Sequence, residues 1–321
     1  MYYVIYKMDQ NHLFEDAMSD NIEKKFLLLE NYNAIVLSKY FGMKKELKQT
    51  TMDKYMNYFL LVEDLLIHYE SDNISVKSKS PQNDILKNIP YILKMFEEYV
   101  SNENVKPEMV KQFLQVINTV KPSKKLKTAI GLYTKKTNEY YKDKTQKQLL
   151  NTSITYKQLA AILKDKNVED NDFVLFYLLI SYGVRNMDLV ISLTGQEGNY
   201  MLWNDKSIRY VRTDYKTFDK YGMKKIGIKH PRFVQIIKQY IMNGKQYLFE
   251  NNKNNPYNSD DMTNYINSRF NHYLNTDERI SEGLIYKIVN NYYAENNDTK
   301  SQIKLADHRG HEIETQEKYY E

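Results

Sequence analysis

The alternation of apolar and polar positions changes period along the chain. Up to about residue 75 the period is helical. "NIEKKFLLLENYNAIVLSKYFG" and "TMDKYMNYFLLVEDLLIHYE" carry apolar residues three to four apart. The stretch "SDNISVKSKSPQND", 71–84, is poor in apolar residues and contains a proline, so it reads as a linker. Helical spacing resumes over 85–145 in "ILKNIPYILKMFEEYV", "NENVKPEMVKQFLQVINTV" and "KPSKKLKTAIGLYTKKTNEYYKDKTQK". These predict about four short helices, with Pro107 and Pro122 marking two starts.

A new unit opens near residue 151. Thr155 suits the N-cap of a helix running from about 156. "DNDFVLFYLLISYGVRNMDLVISL" is the most apolar stretch and predicts a buried helix. The period then falls to two. "NYMLWND", "SIRYVRTDYK" and "KKIGIKH" predict three short strands, joined by turns at "WNDKS" and "TFDKYGM". Helical spacing returns at "PRFVQIIKQYIMNGK", with Pro231 at its start. After the polar loop "NNKNNPYNSDD" it continues through "DMTNYINSRFNHYL", "ISEGLIYKIVNNYYAE" and "TKSQIKLADHRGH". The expected class is mainly α (α+β). It comprises a helical region at 1–80, a helical domain at 83–150, and a mostly helical domain with a small antiparallel β-sheet at 151–321. No internal repeat is evident.

Composition narrows the function. The 321 residues make one large domain or two to three small ones, and 42% hydrophobic content supplies real cores. A mean hydropathy of -0.68 and 30 tyrosines give a polar, amphipathic surface. No stretch approaches the roughly 18 apolar residues needed to span a bilayer. The opening "MYYVIYKMDQ" lacks the charged-then-apolar order of a signal peptide. A soluble, intracellular protein with no membrane partner is expected. The absence of cysteine excludes disulfides and thiolate metal sites.

The net charge of +5 weakly favours a polyanionic partner. Asn, Lys, Ile and Tyr are all abundant, so AT-rich coding accounts for most of the lysine excess. The arginines nevertheless fall only at 185, 209, 212, 232, 269, 279 and 309, which points to planar phosphate recognition in the C-terminal half. Lysines 121, 124, 125, 127, 135, 136, 142, 144 and 147 face only Glu139 and Asp143. They form either a solvated face or a phosphate-facing one. Interleaved Tyr133, Tyr140 and Tyr141 would suit nucleic acid.

Four features carry candidate chemistry. In "YGVRNMDLVISL", Arg185 and Asp188 share a face if the segment is helical. In "RTDYKTFDKYGMKKIGI", Lys216 lies at the tip of a predicted hairpin. "ISEGLIYKIVNN" begins a helix. "DHRGHEIETQEKYYE" crowds His308, Arg309 and His311 before a terminal tyrosine pair. Taken singly, a helix-end ion pair, a surface lysine and a polar tail are the plainer readings. The histidines show no metal spacing beyond the 308/311 pair, which has no third ligand.

The ordered set resembles the tyrosine recombinases. It is most similar to integrase-like members from large DNA viruses and their mobile elements. The resemblance covers about 83–321 and rests on "RNMDL", "YKTFDKYG" and "GHEIETQEKYY". It implies a site-specific recombinase or integrase that clamps double-stranded DNA between 83–150, as a core-DNA-binding domain, and a catalytic domain at 151–321. A dimer or tetramer on DNA is implied, with no cofactor and no metal.

The implied chemistry is cleavage of a phosphodiester by a tyrosine oxygen, leaving a 3′-phosphotyrosine. Cations stabilise the transition state and a lysine protonates the leaving oxygen. Carried over, Arg185 resembles the first catalytic arginine and Asp188 its orienting acid. Lys216 resembles the general acid and His311 the second phosphate-side donor. Tyr320 follows His311 by the family's nine positions, which selects it over Tyr319, and Thr315 and Gln316 keep the same register. Lys124, Lys125, Lys127, Lys135 and Lys136 are the implied DNA-backbone contacts.

One position departs from the family. Gly283 and Tyr286 stand where a histidine-like residue and a second catalytic arginine are expected. Such a donor is worth roughly 3–4 kcal/mol to a transition state. Either Lys287 substitutes, or Arg309 or Arg279 reaches in, or the protein binds DNA without cleaving it. A type IB topoisomerase shares the chemistry and is a further alternative.

Overall fold

The computed structural model describes residues 34–44, 47–68, 93–94, 105–204 and 206–312. The chain is mainly α with one small sheet and divides into two compact units, Met1–Tyr140 and Tyr141–Glu321. The linker expected at 71–84 lies outside the described residues.

Helical spacing in the first half becomes helices at 34–43 (α1), Gln49–His68 (α2), Pro107–Val120 (α3) and Lys124–Asn151 (α4). Pro107 sits in the first turn of α3, where its missing N–H costs nothing. Val36, Leu37 and Phe59 share one core with Val110, Phe113, Leu114, Ile117, Leu126 and Tyr133. The Phe59 and Phe113 rings meet at 4.7 Å between centroids. Each such buried side chain contributes about 1.5–3 kcal/mol.

Two expectations change here. The lysine-rich stretch is one helix of 28 residues, not a short one. It contains no proline, and Gly131 costs only about 1 kcal/mol in a helix interior. Leu126, Ala129, Tyr133 and Thr137 bury a stripe at helical spacing. Tyr133 is therefore core, 1% exposed, with its hydroxyl donating to the Leu93 carbonyl at 3.4 Å. It is not placed to stack on bases.

The second unit is built around Asp170–Tyr182 (α6), which follows the short α5, Tyr156–Ile162. A reciprocal capping box between Thr155 and Gln158 starts α5, as the sequence indicates. Phe173, Val174, Leu175, Phe176, Leu178, Leu179 and Ile180 are all buried, so α6 is apolar around its whole circumference. Its hydrogen bonds end in a left-handed cap at Gly183. Gly183 N–H donates to Leu179 and Val184 N–H to Leu178. A 3₁₀ turn, Asn186–Leu189, leads to the sheet.

The three expected strands are Asn199–Asn204 (β2), Ser207–Arg212 (β3) and Lys224–Ile228 (β4), antiparallel in order. A two-residue strand, Ile191–Ser192 (β1), adds to β2 in parallel and makes the sheet mixed. The β3–β4 connection is longer than a turn and holds one helical turn, Phe218–Tyr221 (α7). Pro231–Met242 (α8), Ser259–Leu274 (α9), Glu282–Glu295 (α10) and Thr299–Arg309 (α11) follow. Asn258, Ser281 and Asp298 cap the last three. α10 and α11 pack on α6, with Leu284, Ile285, Tyr286, Val289 and Leu305 in its core.

Gly183 is needed for two reasons. Its φ is +58°, and a Cβ there would meet Tyr286 Cδ2 at 2.7 Å. Gly244 has φ +72° with nothing within 4 Å. Gly244→Ala should therefore cost only the left-handed penalty of about 1 kcal/mol. Gly183→Ala should cost about 1–3 kcal/mol more through overpacking. Chemical denaturation of the two variants checks this, and equal losses would refute the packing role.

Candidate active site

The last turn of α11 exposes carbonyls that have no partner within the helix. Four consecutive ones are taken by side chains from elsewhere in the unit. Lys224 Nζ donates to the Asp307 carbonyl at 2.5 Å, and Arg212 Nη1 donates to that of His308. Arg185 Nη1 donates to Arg309 at 2.8 Å, and Thr217 Oγ1 to Gly310 at 2.9 Å. Three of these donors are cations at the negative end of a helix dipole. They come from β4, β3 and the segment after α6, so capping α11 also gathers those elements.

Gly310 makes the approach feasible. It has φ +74°, and a Cβ would lie 2.6 Å from Thr217 Oγ1 and 3.0 Å from Tyr215 Cε2. The backbone reverses in a Schellman arrangement, with His311 N–H donating to Ala306 at 2.9 Å and Gly310 N–H to Asp307 at 3.0 Å. His311 thereby emerges beside Arg185. Arg185 Nη2 donates to His311 Nε2 at 2.5 Å across 126 residues of sequence. Because a guanidinium only donates, Nε2 is the acceptor and the ring proton sits on Nδ1.

Burial holds the His311 imidazole down to about 3, reinforced by the charges of Arg185, Arg309 and Lys216. Lys216 is exposed on the β3–β4 connection and close enough to act on that ring. Lys220 Nζ, on the same connection, reaches Glu312 at 2.7 Å. Arg185 and His311 are thus brought together, with Lys216 exposed on the β3–β4 connection whose Thr217 reaches the Gly310 carbonyl. Tyr319 and Tyr320 lie outside the described residues, as do Thr315 and Gln316.

Asp188 plays a different part from the one expected. Arg185 precedes a 3₁₀ turn rather than sharing a helix face with Asp188. Asp188 Oδ2 accepts the backbone N–H of Arg185 at 3.4 Å and pairs with the guanidinium of Arg212. Both side chains of that pair are essentially unexposed. Burial pushes the Asp188 carboxyl up, and Arg212, Arg185 and Arg309 pull it back. The Asp188 carbonyl accepts Tyr210 Oη at 2.5 Å, tying the turn to β3.

The second-arginine position is filled by a fully buried ring. Tyr286 is 0% exposed and carries the Arg309 guanidinium over its face at 4.2 Å. Arg309 donates to the Gly183 carbonyl at 2.9 Å and to Glu282 at 3.0 Å. Lys287 turns elsewhere, with Nζ donating to Gln148 at 2.8 Å, and burial lowers its proton affinity. Arg279 is exposed in the α9–α10 connection. Lys124, Lys125, Lys127 and Lys135 are exposed along α4, and Lys136 lies 5.3 Å from the Tyr133 ring.

Arg212, Lys224 and Thr217 escaped the sequence reading. Arg212 left one signal. It continues the inward phase of Ile208 and Tyr210 along β3, so an arginine occupies an apolar position. Arg185, Arg212, Arg309, Lys216 and Lys224 outnumber Asp188, Glu282 and Asp307, leaving the neighbourhood positive and suited to an anion. Among the described residues no cluster of His, Cys, Asp or Glu could hold a metal, and no helix is long and apolar enough to cross a membrane.

No family model and no curated protein matches the chain. Among solved structures it is similar to one described as the crystal structure of XerA recombinase, at 11% identity and a TM-score of 0.38, over 90% of this chain and 94% of that one. At this TM-score the likeness carries no argument about function.

The two histidines of the site make stability depend on pH. Burial, with Lys304 close by, holds His308 down to about 4, below its ordinary 6.5. A histidine that is harder to protonate when folded takes up its proton on unfolding. Its contribution is complete above about pH 6.5 and is lost as pH falls towards the folded values near 4 and 3. The loss is at most about 1.4 kcal/mol per pH unit for each ring. Denaturation at pH 7 and 4.5 should show the wild type losing more stability than His308→Gln/His311→Gln. Equal losses would contradict the assignment.

Proposed function

We propose that the protein cleaves and rejoins DNA as a tyrosine recombinase, a site-specific strand transferase working through a 3′-phosphotyrosine. The observation that carries this reading is the Arg185–His311 hydrogen bond, beside which the Lys216 connection is tied by Thr217 to the Gly310 carbonyl. The same three residues are those the family pattern selects, in the same order.

In this mechanism a DNA phosphate enters where Arg185 and His311 meet. The guanidinium neutralises its non-bridging oxygens, and the phosphate displaces His311 Nε2 from Arg185, so that the neutral ring, with its proton moved to Nε2, donates the second hydrogen bond. Tyr320 Oη attacks phosphorus and releases its phenolic proton to solvent, the 5′-oxygen leaves, and Lys216 Nζ gives that oxygen a proton. The tyrosyl ester keeps the energy of the broken bond, so a 5′-hydroxyl reverses the step without a nucleotide cofactor. Arg309 contributes charge from behind the Tyr286 ring, in place of a direct fork on the phosphate. The exposed lysines of α4 hold the duplex backbone in this reading.

A second reading is a DNA-binding protein that has lost cleavage. It is favoured by the fully buried Tyr286 and by Arg309 donating to Gly183 and Glu282.

A suicide DNA substrate, whose cleaved end diffuses away, separates the two. The proposal expects a covalent protein–DNA adduct that disappears in Tyr320→Phe and falls about 10²–10³-fold in Arg185→Ala. Bound DNA with no adduct would leave the second reading. Relaxation of supercoiled plasmid lacking any specific site would point to the topoisomerase instead.

A further inference from the structure

We infer that Arg212 is the positioning residue of this site, the one side chain that fixes Arg185, His311 and Lys216 relative to one another. The inference rests on the recombinase reading for its catalytic consequence, and on geometry alone for its structural one. Arg212 is 0% exposed, so it does not touch a ligand. Its contacts each fall next to a member of the site. Nη2 binds the carboxylate of Asp188, three residues after Arg185 and itself the acceptor of the Arg185 N–H. Nη1 binds the carbonyl of His308, three residues before His311. The guanidinium face lies 4.5 Å from the ring of Tyr215, immediately before Lys216.

The chemistry asks for arginine here. Three segments must be held at fixed mutual angles, and a planar fork offers two directed donors and a stacking face on one rigid group. Lysine offers a single charged point. Stability alone does not explain the choice, because a buried ion pair can be replaced by apolar groups of similar volume with little loss. Tyr215 is fixed in turn by its hydroxyl, which donates to the Gly222 carbonyl at 2.6 Å, so the far end of the lysine-bearing connection is anchored too.

The test uses the full chain. Arg212→Met alone would strand a buried carboxylate, so the variant is Arg212→Met with Asp188→Asn. The amide keeps an acceptor for the Arg185 N–H. Arg212→Lys, which keeps the counter-charge of Asp188, carries the same measurements should the double variant not fold. The first readout is the His311 imidazole titration by NMR. Its midpoint is about 3 in the wild type, set by burial and by Arg185, Arg309 and Lys216. It should move up by at least about one unit when those groups loosen, since each unit is a tenfold change in proton affinity. The second readout is single-turnover adduct formation. It should fall about 100-fold, as for misplacement of roughly 1 Å, while DNA affinity stays within about threefold.

A folded variant whose His311 midpoint does not move overturns the inference, whatever its rate. If the wild type forms no adduct, the recombinase reading falls and the titration alone decides the role of Arg212.

Discussion

The end of one helix organises this molecule. At the end of α11 four consecutive carbonyls, on Asp307, His308, Arg309 and Gly310, accept from Lys224, Arg212, Arg185 and Thr217, the first of them also from the Gly310 N–H. Each such hydrogen bond contributes about 0.5–1.5 kcal/mol. Together they draw β3, β4, their connection and the turn after α6 to one place. Arg185 contributes to sealing the helix and also meets His311. Fold stability and site geometry are coupled through the same atoms.

Tyr286 is best understood within that arrangement. It fills the space behind the site, its face carries Arg309, and Gly183 yields room for its edge. A Cβ at 183 would force this ring to shift. Arg309, the last residue of α11, lays its guanidinium over that ring and so places positive charge behind it. Tyr286 and the glycine at 183 are two halves of one packing solution.

Much of this was legible in the sequence. The cap at Thr155, proline starts at 107 and 231, and the period-two strands follow from local chemistry, which one chain segment can express. Arg185 and His311, which the sequence pattern singles out together, do meet in the fold. Long-range partners were not. Asp188 looked like a helical partner of Arg185, and only the fold shows that Arg212 takes its carboxylate. Tyr133 looked like a stacking residue among lysines, but its spacing with Leu126 and Ala129 makes it core. Lys287 looked available, and Gln148, far away in sequence, claims it. In each case the missing information was a contact between distant segments.

The most direct test of the account is a crystal structure of the protein bound to duplex DNA. One backbone phosphate should lie within hydrogen-bonding distance, about 3 Å, of both Arg185 and His311, with Lys216 Nζ directed at its 5′-oxygen. A duplex bound with no phosphate near these three residues would contradict the central claim that capping α11 builds a phosphodiester site.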